Sequence, residues 1–211
     1  MKVLSLKISI CMLAAVAVGY SCNNEDKSTE TSTDSTQVQT TDTSSTHHDT
    51  VPAPDTASVA MVGKAEAVLT GTYPDTTVSG TASFDTTKSG KVKMKINITV
   101  PAKAGKSVAV HIHEHGDCSD NGKMAHGHWN PTNAQHGKWG QGSFHAGDIG
   151  NVKLDAKGKG TLSLETDLWT LGGKPDKNIL GKAIIVHGGV DDFTTQPTGN
   201  AGSRIGCGVI K

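Results

Sequence analysis

From Val92 to Val100 the chain alternates without a break, with Val92, Met94, Ile96, Ile98 and Val100 on one parity and Lys93, Lys95, Asn97 and Thr99 on the other. A strand sends successive side chains to opposite faces, so this pattern predicts an antiparallel strand with one dry face and one wet face. Weaker versions recur near 64–72, 78–86, 107–113, 151–155, 160–165, 182–187 and 204–210, with Gly, Pro, Asn or Asp between them. Eight short strands predict an all-β domain, a sandwich or barrel, and the placement of 24 of the 25 glycines from Gly63 onward suits many tight turns. Two segments, 114–144 and 188–203, show no periodicity. Loops of that length in a small domain usually carry function.

The two ends of the chain differ in composition, which divides it into three parts. Lys2 and Lys7 precede an apolar run from Ile8 to Val18, about the length of a signal-peptide core and too short to span a bilayer. The run ends at Ser21-Cys22 and polar residues follow at once, so residues 1–21 resemble a bacterial lipoprotein signal with Cys22 as the lipidated residue. Gly19 and Tyr20 depart from the usual box, and ordinary signal cleavage near Ala15–Ser21 stays open. Residues 23–60 hold 16 Ser or Thr in 38, with no glycine, aromatic, leucine or isoleucine. Such a segment cannot bury enough surface to offset chain entropy, so residues 22–61 are expected to be a disordered tether. His47 and His48 lie in it, readable as a metal-gathering pair or as solvated side chains.

The remaining 62–211 form one expected domain, long enough to fold around a core without help from metals or disulfides. Its 17 basic and 13 acidic residues give a mild excess of four positive charges. That is too weak for a nucleic-acid partner but does not oppose a small anionic substrate. An export signal predicts a periplasmic or outer-envelope protein, membrane-anchored if Cys22 is lipidated. In that compartment Cys118 and Cys207, the domain's only cysteines, read as a disulfide rather than as two free thiols.

Eight of the ten histidines fall between His111 and His187. In the strand Val108–His113 the period of two puts His111 and His113 on one face, opposite Val108, Val110 and Ile112. His128, His136, His145 and Asp148 follow from the long loop and its end, and His187 closes the strand beginning at Ala183. Nitrogen donors with one carboxylate suit copper or zinc and disfavour magnesium or calcium.

These residues resemble a known family. His111-Ile112-His113-Glu114-His115-Gly116-Asp117-Cys118, Gly127-His128-Trp129-Asn130-Pro131, the run from His145 to Val152 and the run from Gly199 to Val209 are similar to motifs of the copper-zinc superoxide dismutases, in order across about 64–211. The resemblance implies an eight-stranded antiparallel Greek-key sandwich or flattened barrel with two long functional loops. It implies copper at His111, His113, His128 and His187, and zinc at His128, His136, His145 and Asp148, with His128 bridging. Asp191 corresponds to a carboxylate that hydrogen-bonds His111 and His136, and Arg204, the only arginine, to the residue beside copper. The implied activity is dismutation of superoxide to oxygen and hydrogen peroxide, with Arg204 and His128 the catalytic residues. His115 stands where an aromatic or small residue is usual, His126 where glycine is frequent and Pro197 where lysine is frequent in cytosolic animal members. Neither surplus histidine is expected to be a primary ligand. The loop 188–203 is short, as in secreted bacterial members. The competing readings are a non-catalytic periplasmic copper/zinc-binding protein and a copper-only relative, and a homodimer is left open.

Overall fold

The computed structural model describes residues 59–211. The segment 1–21, Cys22, His47, His48 and nearly all of the expected tether lie outside the described residues. Eight strands occur: β1 Lys64–Gly71, β2 Ser79–Thr86, β3 Val92–Thr99, β4 Ser107–His113, β5 Gly150–Lys153, β6 Lys159–Thr166, β7 Ala183–His187 and β8 Arg204–Val209. All named pairings are antiparallel, in the order β5-β4-β7-β8-β1-β2-β3-β6. The outermost strands, β5 and β6, are consecutive in the chain and joined by a tight turn in which Asp155 and Lys159 pair. This brings the two sheet edges together and nearly closes the barrel. Among the described residues the only helical pieces are two three-residue 3₁₀ turns, Pro101–Lys103 and Lys123–Ala125. The all-β Greek-key expectation therefore holds.

Alternation places the core. Val92, Met94, Ile96 and Ile98 of β3 are buried while Lys93, Lys95 and Asn97 are exposed, and β1 shows the same period through Ala65, Ala67 and Leu69. β4 differs, since six of its seven residues are buried. Val108, Val110 and Ile112 point into the barrel core, and the opposite face, carrying His111 and His113, is covered by the two long loops. A strand covered on both sides can hold polar side chains in a dry place only if they are partnered.

A third long connection, 167–182, was not distinguished in the sequence and turns out to be structural. Trp169, Leu171 and Ile179 are fully buried, and Trp169 packs edge-on to Phe84 and donates its indole N–H to Ala146 O at 2.8 Å. Asn178 Oδ1 accepts from the backbone N–H of Gly172 and Leu180 at 2.8 and 3.0 Å. The segment thus plugs the barrel end and props the loop that precedes β5.

The two faces of β3 should respond very differently to truncation. Ile96→Ala should lower the unfolding free energy by about 2–5 kcal/mol, whereas Lys95→Ala should stay within about 0.5 kcal/mol of the parent, measured by denaturant unfolding. Equal effects at the two positions would contradict this assignment of faces.

Candidate metal centre

β4, β7 and the two long loops converge on two groups of buried side chains. His111, His113, His128 and His187 form one, and His128, His136, His145 and Asp148 form the other, with potential ligand atoms in each within 4.8 Å of one another. His128 belongs to both. It is placed by a bridge between His113 and His128 that lays the start of the 128–149 segment beside the end of β4, continued by Trp129 N–H to Ile112 O at 2.8 Å.

The hydrogen bonds fix which ring nitrogen each histidine turns inward. His113 Nδ1 faces the carbonyl of His126 at 2.8 Å and His187 Nδ1 faces that of Gly202 at 3.3 Å. Carbonyls only accept, so these nitrogens carry the proton and each Nε2 is left with a lone pair. The two Nε2 atoms lie 3.3 Å apart. In neutral rings with those tautomers the lone pairs face each other, an arrangement that a cation between them would stabilise. Asp191 performs the same service with a carboxylate, Oδ2 taking His111 Nε2–H and Oδ1 taking His136 Nε2–H, both at 2.9 Å. The inward nitrogens that result, His111 Nδ1 and His136 Nδ1, are buried without a hydrogen-bond partner, as are His145 Nδ1 and His128 Nε2. His136 Nδ1 and His145 Nδ1 sit 3.0 and 3.2 Å from the Asp148 carboxylate without bonding to it.

Four orphaned ring nitrogens in a buried pocket, three of them left as imines by the bond on the opposite nitrogen, would be a large unmet cost for a metal-free protein and are what a metal ion requires. The donor set is nitrogen with one carboxylate, so the residues fit copper and zinc and not the oxygen-seeking cations.

Electrostatics keep the set ready to ligate. Burial pushes the His128 pKa down to about 4, against the pull of its hydrogen bond to Asp148, and burial pushes His187 down to about 3. Burial also holds His113 well below the ordinary histidine value, helped by His128 and His187. All three are neutral at pH 7, as ligands must be. Asp148 is opposed by its own burial, yet hydrogen bonds from the His128 ring and from the backbone N–H groups of His145 and Gly137 hold its pKa far below the usual carboxylate range. In Asp191 too the hydrogen bonds from His111, His136 and Phe193 outweigh burial. Both carboxylates are ionised.

Several positioning groups escaped the sequence reading. Asn151 clamps Asp191 in both directions, its amide donating to Asp191 O and accepting from Asp191 N–H at 2.9 Å each. Gln196 does the same for the backbone of His136, also at 2.9 Å each. Gly199 has φ +65°, and a β-carbon there would overlap Asp191 Oδ1 and sit 2.5 Å from His136 Nε2. Gln196 and Gly199 lie in the aperiodic loop 188–203, Asn151 lies in β5, and the sequence carries no sign of what their side chains or backbone would meet.

Arg204 begins β8, with its guanidinium bonded to the carbonyls of Gly122 at 2.6 Å, Lys123 at 3.3 Å and His126 at 2.5 Å. The His126 carbonyl therefore serves both Arg204 and His113. Cys118 and Cys207 are joined in a disulfide with Cα atoms 5.7 Å apart, which ties this loop to β8. His115 and His126 lie outside both buried groups and are exposed.

Comparison with known proteins places this architecture. The model of the copper/zinc superoxide dismutase family (SODC) matches residues 78–210. This chain belongs to the copper/zinc superoxide dismutase family. It is 40% identical over 161 residues to superoxide dismutase [Cu-Zn] 2 of Aquifex aeolicus, covering 74% of this chain and 91% of that one. It is 36% identical over 157 residues to the extracellular superoxide dismutase [Cu-Zn] of Caenorhabditis elegans, covering 72% and 67%. A solved structure titled for the clock protein EA4 superposes with a TM-score of 0.62 at 33% identity, covering 72% of this chain and 95% of that one. Copper and zinc are the cofactors of this dismutase family, and the two histidine groups could hold them.

Gly199→Ala should push Asp191 off His136 and release metal at lower chelator concentration than the parent. Gly127→Ala, where the added methyl meets nothing within 4 Å, should not. Metal retention during chelator titration would distinguish them, and equal retention would contradict the proposed contact.

Proposed function

We propose that this chain dismutates superoxide, with His111, His113, His128 and His187 as copper ligands, His128, His136, His145 and Asp148 as zinc ligands, and His128 shared. The observation that carries the reading is His128 itself, whose Nδ1 faces Asp148 while its opposite nitrogen, Nε2, is buried without a partner. When bound, copper supplies one-electron chemistry between two superoxide ions, and zinc, which is redox-silent, supplies charge and order. Two superoxides and two protons give one oxygen and one hydrogen peroxide. His128 Nε2 is the protein atom placed to hold and surrender one of those protons, since its ring is kept in position from the Nδ1 side. Asp191, by holding His111 and His136 through their Nε2–H groups, orients one ligand of each group at once.

Arg204 contributes a permanent cation whose planar donors are locked by three loop carbonyls, so its charge is oriented without being neutralised. A protein that merely stored metal would need the ligands but not this guide, which favours turnover over the non-catalytic reading. His136, His145 and Asp148, gathered in the second group, disfavour the copper-only one.

The proposed location is the bacterial envelope, reached through the 1–21 signal and an anchor at Cys22, supported by the apolar run and the polar residues that follow it. Cys22→Ser should move the protein from the membrane to the soluble fraction on cell fractionation. Retention in the membrane would remove the anchor.

Arg204→Ala should leave both metals bound, slow the consumption of superoxide about tenfold or more, and make the residual rate less sensitive to added salt. Arg204→Lys should recover part of the rate. His128→Ala should instead weaken zinc retention and alter the copper spectrum together. Stopped-flow superoxide decay with metal analysis on the same samples checks both, and a His128→Ala protein with parental zinc affinity, copper spectrum and turnover would end the shared-ligand reading.

A further inference from the structure

The two buried groups leave a third cluster without a role. Glu114, His115 and His126 are all exposed, and one ligand atom from each lies within 4.8 Å of the others. The two imidazole rings have centroids 4.4 Å apart with planes at 79°. Their backbones are not free to drift. Glu114 N–H donates to Gly127 O at 3.1 Å and His115 N–H to Ala125 O at 3.2 Å, extending the bridge between His113 and His128, and His126 N–H caps the short turn at Lys123 O at 3.0 Å. Only side-chain torsions remain open. His126 also holds φ 61° and ψ −143°, a region that glycine enters easily and a β-carbon does not. An imidazole kept where the backbone favours glycine points to a use for the ring.

We propose that Glu114, His115 and His126 form a third, solvent-facing metal site that takes one divalent transition-metal ion, with copper(II) preferred to zinc(II). Two imidazoles and one carboxylate are a borderline donor set, and at equal geometry copper(II) outranks zinc(II) on nitrogen and oxygen ligands. Ligand atoms at about 2.0–2.1 Å from one ion lie at most about 4.2 Å apart, so modest side-chain rotation closes the cluster around it. Three protein ligands leave positions for water, which makes the ion exchangeable, unlike one enclosed among buried histidines. The site shares a loop with the buried centre, because the His126 carbonyl accepts from His113 Nδ1 and from Arg204. It does not share a ligand with either buried group and does not depend on the dismutase reading.

The test uses the full chain with its buried sites loaded with copper and zinc, freed of loose metal, then titrated with copper(II) against glycine as a weak competing chelator. Calorimetry and electron paramagnetic resonance should find one further equivalent with a signal distinct from the buried copper. His115→Ala and His126→Gly should each lower its affinity at least tenfold, and His47→Ala/His48→Ala should leave it unchanged. His126→Gly suits the local backbone, so it keeps the test decisive if His115→Ala folds poorly. Zinc(II) in the same titration should bind more weakly. The proposal is overturned if no further equivalent binds, if the equivalent survives His126→Gly, or if it disappears with His47 and His48. Zinc binding as tight as copper would overturn the stated preference.

Discussion

The structure turns on the convergence of imidazole lone pairs in a place buried from solvent. His113 and His187 bring their Nε2 atoms within 3.3 Å, and four further ring nitrogens nearby have no hydrogen-bond partner. Such an arrangement is unfavourable by itself, because each nitrogen loses hydration and gains nothing, and only cations can convert it into attraction. The barrel must therefore be stable enough without the centre to hold it open. Its core, built from the inward faces of the strands and plugged by Trp169, lies on the far side of β4 from the histidines. That separation lets the apolar energetics and the ligand geometry be satisfied by opposite faces of one strand.

Holding the nitrogens inward is done from outside the ligand shell. Four of the inward lone pairs owe their direction to an acceptor on the other edge of the ring that belongs to neither histidine group's side chains: Asp191 for His111 and His136, His126 O for His113, Gly202 O for His187. An acceptor on one nitrogen fixes the tautomer and leaves the other nitrogen basic. Asp191 reaches from the 188–203 loop to a histidine of β4 and one of the 114–149 loop, so the two loops are registered by a single carboxylate. Asn151 and the absence of a β-carbon at Gly199 hold that carboxylate in place.

How much of this the sequence disclosed follows from the range of each interaction. Strands were legible because alternation is local: all eight expected segments overlap observed strands, and His111 and His113 share a face for the same reason. The two groups of converging side chains were legible because histidines are rare enough that their spacing carries information, once a family resemblance supplied the grouping. The clamps by Asn151 of β5 and Gln196 of the 188–203 loop were not, because a side-chain amide looks the same in sequence whether it binds water or a backbone 40 or 60 residues away. The 167–182 connection was missed for the opposite reason. Its buried residues follow neither helical nor strand period, since Trp169, Leu171 and Ile179 plug the barrel from an irregular backbone.

The loop from Gly116 to Gly127 carries the remaining link between scaffold and chemistry. It is held to β8 at two points, covalently through Cys118 and Cys207 and by hydrogen bonds through Arg204. A disulfide closing 89 residues restricts the unfolded chain, worth about 4–5 kcal/mol on the chain-entropy account. Its position also matters in the folded state, because Cys207 lies with Ala125, Ala183 and Ile185 in a small apolar cluster beneath the loop. That cluster supports the 123–126 turn whose carbonyls hold Arg204, and the last of them, on His126, also holds His113. His113, a proposed ligand, and the cation proposed to guide substrate are thus referred to one backbone oxygen, so a displacement of the loop would move both together.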